Sequence, residues 1–294
     1  MTTTDPVTTV ASPARHHRDT IAGFEVFWRE AGPADAPTIV LLPGHPSSSH
    51  AYLDLIERLG SRWHVVAPDY PGYGFSEAPA DTDWTFDLLA DVIKQLLEHL
   101  GIGRYVFYMF DFGAPVGMRI ATAHPERVAG LISQNANIAL EGLGEAVAPL
   151  AGWWSDHSGN QATVDGFLSP AGTQMQWEAG LRDPGAADPA LWTLDGLLLE
   201  QPERHRAAEA LLWDYQTNPP SYPAWHAYLA ENRPPVLAIW GARDPFFIPA
   251  GAEAFRTHQP DAEVVLLDTG HFALVEEVDT VAAHVDRFLE RVYG

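Results

Sequence analysis

Two aspartates and a histidine have the types and the order to do covalent chemistry. Asp111 lies in YVFYMFDFGAPVG, Asp244 in WGARDPFFIP and His271 in LLDTGHFALVEE, each just past a short apolar run. An ionised carboxylate can displace a leaving group from saturated carbon without first being activated by a base, and it becomes an ester as it does so. An imidazole oriented by a second carboxylate can then deprotonate the water that cleaves that ester. Around Asp111 a buried strand, one polar residue, a small residue and a helix describe a sharp strand-to-helix turn that exposes the central side chain. Gly113 supplies the small residue two places later, whereas Met109, two places earlier, is bulkier than such a turn prefers. Alone, Asp111 reads equally well as a helix N-cap, Asp244 as a turn residue and His271 as an incidental loop histidine. All three at strand ends in nucleophile, acid, base order are hard to obtain by accident.

The elements that must position them alternate between strand and helix, the pattern of a mostly parallel sheet flanked by helices. Strands are expected at Phe24–Glu30, Thr38–Leu42, His64–Ala67, Tyr105–Phe110, Val128–Ser133, Val236–Trp240 and Glu263–Leu267. Helices are expected at His50–Leu59, Phe86–Leu100 with Gly101 as its stop, from Asp111 to about His124, Ala250–His258 and Ala273–Tyr293. Tyr52, Leu55, Ile56 and Leu59 share one face of the first of these. From Asn137 to Pro220 the alternation breaks down into a Trp-, Gly- and Pro-rich stretch with helical pieces such as Glu203–Tyr215. The expected organisation is an N-terminal mobile arm over 1–18, a core over 19–136 and 221–294, and a cap over 137–220.

Composition narrows the function. The chain has 294 residues, enough for one large domain with its own core. It contains no cysteine, which excludes disulfides, thiolate metal sites and a cysteine nucleophile and fits a cytoplasmic location. With 39 acidic residues against 17 Lys and Arg, the net charge of −22 repels phosphate backbones and anionic lipid, so neither nucleic acid nor membrane is an expected partner. The N-terminus lacks the apolar core of a signal peptide, and no apolar window has the length of a membrane span.

The run LLPGHPSSSHAYLDLI followed by VVAPDYPGYGFSEAP resembles the α/β-hydrolase superfamily, in the branch that holds epoxide hydrolases and haloalkane dehalogenases. The likeness extends over nearly the whole chain from about residue 20, and its APDYPGYGFS segment is specific for the superfamily while silent on substrate. It implies an α/β-hydrolase fold with an inserted, mainly helical cap, a triad of Asp111, Asp244 and His271, and no metal or organic cofactor. It also implies an oxyanion hole formed by the backbone N–H groups of His45 and Phe112. The usual His-Gly-x-Pro loop reads Pro43-Gly44-His45-Pro46 here, which leaves two readings of the His45 ring: a donor facing the pocket or a packing group.

The leaving group divides the branch. An epoxide oxygen needs a proton donor, and the segment WDYQTN resembles one that carries a cap tyrosine, pointing to Tyr215. A halide needs N–H donors. The Trp that usually follows the nucleophile is Phe112 here, and indoles such as Trp153 and Trp154 in the cap are the alternatives. Six tryptophans in and just after the cap suggest a small apolar, even aromatic, substrate reacting with water. Arg residues that would clamp fluoroacetate are replaced by Phe112 and Pro115. Epoxide opening is the expected reaction, with haloalkane dehalogenation as the alternative and a non-catalytic binding protein on the same scaffold as a third possibility. A homo-oligomer stays open.

Overall fold

The computed structural model describes residues 13–294. Its frame is an eight-stranded sheet with the order β1-β2-β4-β3-β5-β6-β7-β8. The strands are β1 (Arg15–Ile21), β2 (Phe24–Ala31), β3 (Thr38–Leu42), β4 (His64–Pro68), β5 (Tyr105–Phe110), β6 (Val128–Gln134), β7 (Val236–Gly241) and β8 (Glu263–Leu267). From β4 through β8 neighbouring strands run parallel, and β1 and β2 join antiparallel at one edge.

β3, β4, β5, β6 and β7 are buried along their full length, as a sheet covered on both faces requires. Alternate side chains serve opposite layers. Val40, Leu42, Phe107 and Met109 pack with helices α2 (Phe86–His99) and α3 (Gly113–Ala123). Ile39, Leu41, Tyr108 and Phe110 pack with α1 (Leu53–Leu59) and α11 (Leu274–Tyr293). Thr85 caps α2, its hydroxyl accepting from the Leu88 N–H at 3.1 Å.

Between β6 and β7 the chain leaves the sheet for helices α4 (Ala148–Ser155), α5 (Gln161–Phe167), α6 (Pro170–Glu178), α7 (Pro189–Leu199), α8 (Pro202–Asp214) and α9 (Asn218–Asn232). It rejoins the sheet at β7, and α10 (Ala250–His258) follows on the α2–α3 side. The Asp214 carboxylate at the end of α8 accepts from the Phe86 N–H at 2.7 Å, tying this helical layer to the start of α2.

One expectation is corrected. The arm expected over 1–18 overlaps β1, since Arg15 to Arg18 pair with Glu30 to Phe27 of β2. This edge strand is mostly exposed and polar, so it carries no apolar alternation from which to read it. Residues 1–12 of the expected arm lie outside the described residues. No helix of the described residues is long and apolar enough to cross a membrane.

The segment Ala67–Ser76 owes its sequence to one buried carboxylate. Asp69 accepts from the backbone N–H groups of Ser49 at 2.8 Å and Phe75 at 2.7 Å. Gly74 sits at φ +52°, where a Cβ would stand 2.1 Å from an Asp69 carboxylate oxygen. Only glycine fits that approach. The result is a rigid loop that carries Tyr73 toward the sheet's C-terminal edge.

Candidate active site

β5 ends at Phe110, and the next residue, Asp111, takes φ +49° before α3 begins. A positive φ is uncommon for a residue with a Cβ and occurs where the surroundings demand it. The turn is tight enough that a Cβ on Gly113 would lie 2.6 Å from the Leu42 carbonyl oxygen, and one on Gly44 would lie 2.4 Å from the Asp111 Cβ. Bulky Met109 is tolerated because Gly117, one turn into α3, leaves room for its sulfur. The Asp111 side chain does not cap α3; the N-cap position is Phe112. The capping interpretation therefore fails, because the carboxylate is turned over the sheet edge instead.

There the two carboxylate oxygens have different neighbours. Oδ1 accepts from the His45 N–H at 2.7 Å, and Oδ2 lies 3.9 Å from Nε2 of His271. Burial pushes the Asp111 carboxyl up to about 6, against the opposing influence of His271 and of the His45 and Phe112 N–H groups.

His271 follows β8 and presents Nδ1 to Oδ2 of Asp244, past the end of β7, at 2.7 Å. Asp244 is further fixed by the Phe246 N–H at 2.8 Å and by the Asn135 amide at 2.8 Å. Because a carboxylate only accepts, Nδ1 carries the proton and Nε2 is left with a free lone pair. Burial, the largest influence on His271, lowers its pKa, but the charge and hydrogen bond of Asp244 together with the charge of Asp111 raise it overall. Phe110, Phe246, Phe247 and Phe272 surround the ring, with centroids 4.8 to 5.8 Å away.

Asn135 is the residue that the sequence reading missed. It sits at φ +45° past the end of β6 and also links to Gly241, accepting from its N–H at 2.8 Å and donating to its carbonyl at 3.2 Å. The available signal was its position: a polar residue after a buried strand whose neighbours in the sheet carry the triad. Asp111, Asn135, Asp244 and His271 thus follow four adjacent strands.

A cavity of about 40 Å³ lies between the sheet edge and the helical layer. Its polar lining is Asp111, His271, His45, Gln176 and Tyr215; Phe112, Val147, Leu150, Phe167, Leu212, Phe246 and Phe247 make the rest. Four larger cavities, of about 170 to 650 Å³, contain none of these three residues, Asp111, Asp244 and His271.

Of the three leaving-group candidates, only Tyr215 reaches this cavity. Its ring packs against Phe112 and stacks on Trp154, and burial, Tyr222 and Asp111 keep its hydroxyl well above the usual tyrosine range. Trp154 donates to the Leu212 carbonyl at 2.9 Å and Trp153 to Gln161 at 3.1 Å, so both indoles are engaged away from the cavity. The aromatic substrate suggested by the cap tryptophans loses its support for the same reason: none of them lines the cavity. The His45 ring stacks on Phe167 at 5.5 Å, the packing role, and it also lines the cavity. Among the described residues, no cluster of His, Asp and Glu could hold a metal ion.

A family model for the alpha/beta hydrolase fold matches residues 37–278, and the chain belongs to that family. It is 38% identical to an uncharacterized hydrolase of Saccharomyces cerevisiae over 278 residues, 92% of this chain and 96% of that one. It is 30% identical to haloalkane dehalogenase 2 of Mycobacterium bovis over 271 residues, 86% of this chain and 88% of that one. The structure of the epoxide hydrolase CorEH superimposes with a TM-score of 0.80 at 19% identity, covering 95% of this chain and 99% of that one, a likeness of fold. The protein is accordingly an enzyme, a hydrolase of the α/β fold, and the non-catalytic reading is set aside.

Proposed function

We propose that this hydrolase opens small epoxides to diols through an ester of Asp111, in a pocket between a core of residues 19–136 and 221–294 and a cap of residues 137–220. The observation that carries the reading is the unequal treatment of the two Asp111 oxygens. Oδ1 is held by the His45 N–H at 2.7 Å, which leaves Oδ2 as the free nucleophile.

Oδ2 attacks an epoxide carbon, the C–O bond breaks, and its electron pair moves to the oxygen. Tyr215 passes its proton to that oxygen, since an alkoxide is a far stronger base than a phenolate. Nε2 of His271 then removes a proton from water, and the hydroxide adds to Cγ of Asp111. The charge that develops on Oδ1 stays beside the N–H groups of His45 and Phe112, which need no rearrangement to receive it. The intermediate collapses, the departing alkoxide takes the His271 proton, and the newly formed carboxylic acid returns a proton to the Tyr215 phenolate. Epoxide and water become diol, and the enzyme is restored.

Tyr215, the one leaving-group candidate on the cavity wall, favours an epoxide over a halide. Likeness to a haloalkane dehalogenase supports carbon–halogen cleavage as the second reading. The test is a trap. His271→Gln incubated with panels of epoxides and haloalkanes should accumulate a covalent adduct on the peptide bearing Asp111, detected by mass spectrometry, from epoxides first. Adducts from haloalkanes alone would replace this reading with dehalogenation, and none from either panel would remove both.

A further inference from the structure

The reaction above uses the backbone of His45 and leaves its ring without a part. That ring is buried, with Nδ1 3.1 Å from the Tyr73 hydroxyl and Nε2 without any hydrogen-bond partner, on the wall of the cavity that holds Asp111. Counting protons decides which nitrogen is protonated. If Nδ1–H donated to Tyr73, both the Tyr73 hydroxyl proton and the Nε2 lone pair would be orphaned. If Tyr73 donates to Nδ1, one group is left over, an Nε2–H. The second arrangement strands fewer buried polar groups and is favoured, since each costs about 1–3 kcal/mol. Tyr73 is itself held firmly by the loop built on Asp69. The ring also remains uncharged: burial, aided by the charge of His271, pushes it down to about 3.

We propose that His45, its tautomer fixed by Tyr73, offers its Nε2–H to the epoxide oxygen from the core wall of the cavity while Tyr215 offers its O–H from the cap. The assignment rests on the epoxide reading. A neutral imidazole N–H transfers no proton here; it forms a hydrogen bond that strengthens as the ring opens and charge gathers on oxygen. Tyr215 remains the source of the proton. Between Tyr108 and Tyr215 the chain has no tyrosine, so a second oxygen donor from the cap's first half is lacking, and the core supplies one in its place. His45 is then a catalytic residue and Tyr73 a positioning residue.

Two measurements test this. In wild-type enzyme with ¹⁵N-labelled histidine, nitrogen chemical shifts should show His45 protonated on Nε2 alone and not titrating between pH 5 and 8; protonation on Nδ1, or titration in that range, overturns the assignment. In the His271→Gln background with 1,2-epoxybutane as probe, His45→Phe keeps the backbone and the stack on Phe167 but lacks the donor. It should slow adduct formation roughly ten- to a hundredfold, and Tyr73→Phe should slow it severalfold. The pH of the acid limb, which Asp111 sets, should not move in either variant, whereas a displaced loop would shift it. Unchanged adduct rates in His45→Phe overturn the role of His45 while the epoxide reading stands. Failure of His271→Gln itself to form any epoxide adduct overturns the epoxide reading and this assignment with it. Should His45→Phe not fold, Tyr73→Phe and the nitrogen shifts decide the matter.

Discussion

Nε2 of His271 stands 3.9 Å from Oδ2 of Asp111, so the proposed base and the proposed nucleophile are neighbours that share no hydrogen bond. The gap leaves the lone pairs of Oδ2 free for carbon. It also couples the two steps of the reaction. The charge of Asp111 helps raise the pKa of His271, and forming the ester abolishes that charge. His271 thus becomes easier to keep neutral at the moment a neutral base is needed.

This coupling sets the pH dependence. kcat/KM reports the free enzyme and should fall on the acid side through about pH 6, where buried Asp111 takes up a proton. Stopped-flow measurement of substrate consumption between pH 5 and 9 checks it. An acid limb near the ordinary carboxylate value of about 4 would contradict the buried-nucleophile geometry.

Asp111→Asn should trade activity for stability. The folded carboxyl titrates near 6 and the unfolded one near 3.9, so the folded state holds this proton more tightly. The ionised form therefore weakens the fold above about pH 6, by up to about 3 kcal/mol, and this penalty fades as pH falls through 6 toward 4. Asn carries no charge and tolerates φ +49° well. Turnover should drop roughly 10⁴-fold or more. Thermal unfolding should show a higher Tm than wild type at pH 8 and a shrinking advantage toward pH 5; a lower Tm at pH 8 would count against a strained, charged elbow.

Asn135→Gly keeps the positive φ and removes the amide that braces Asp244 and Gly241. Stability should fall by about 1–3 kcal/mol. With its carboxylate less firmly held, His271 should hydrolyse the ester about tenfold more slowly, so the Asp111 adduct becomes visible during turnover. Equal amounts of adduct in wild type and variant would reduce Asn135 to a purely structural role.

Tyr215→Phe separates the two leaving groups. Epoxide opening should slow about 10²-fold or more for want of a proton. Any haloalkane displacement should be nearly unaffected, because a halide departs without one. Single-turnover rates with both substrate types decide it, and equal losses on both would make Tyr215 a packing residue.

Gly44→Ala asks whether the elbow and the loop after β3 really touch. The new methyl carbon would stand 2.4 Å from the Asp111 Cβ, too close for either backbone to remain in place. Overpacking of this kind costs about 1–3 kcal/mol, and displacing His45 N–H from Oδ1 should remove most activity. Wild-type turnover in a folded Gly44→Ala protein would refute the contact.

Most of the sheet and its flanking helices could be read from sequence, because strands buried on both faces are continuous apolar runs and α1, α2 and α11 carry clear apolar stripes. Strand β1 could not, since Arg15, His16 and Arg18 face solvent at an edge and alternate nothing. That Asp111, Asp244 and His271 would come together past the strand ends was legible through order and spacing. Asn135 was not, because its importance comes from lying across the sheet from Gly241, a relation no local pattern carries. The cap indoles misled for a similar reason: composition tells how many N–H groups exist, not that Leu212 and Gln161 already accept them.

Asp111, Asn135, Asp244 and His271 emerge from β5, β6, β7 and β8, which lie side by side in that order. Each strand end works as a socket, and the sheet's hydrogen bonds hold the sockets in line whatever residue is plugged into them. On the proposed mechanism, exchanging the occupant of the β5 socket would change which bond is attacked while leaving His271, Asp244 and Asn135 untouched. Such an architecture lets new reactions arise by replacing one part at a time.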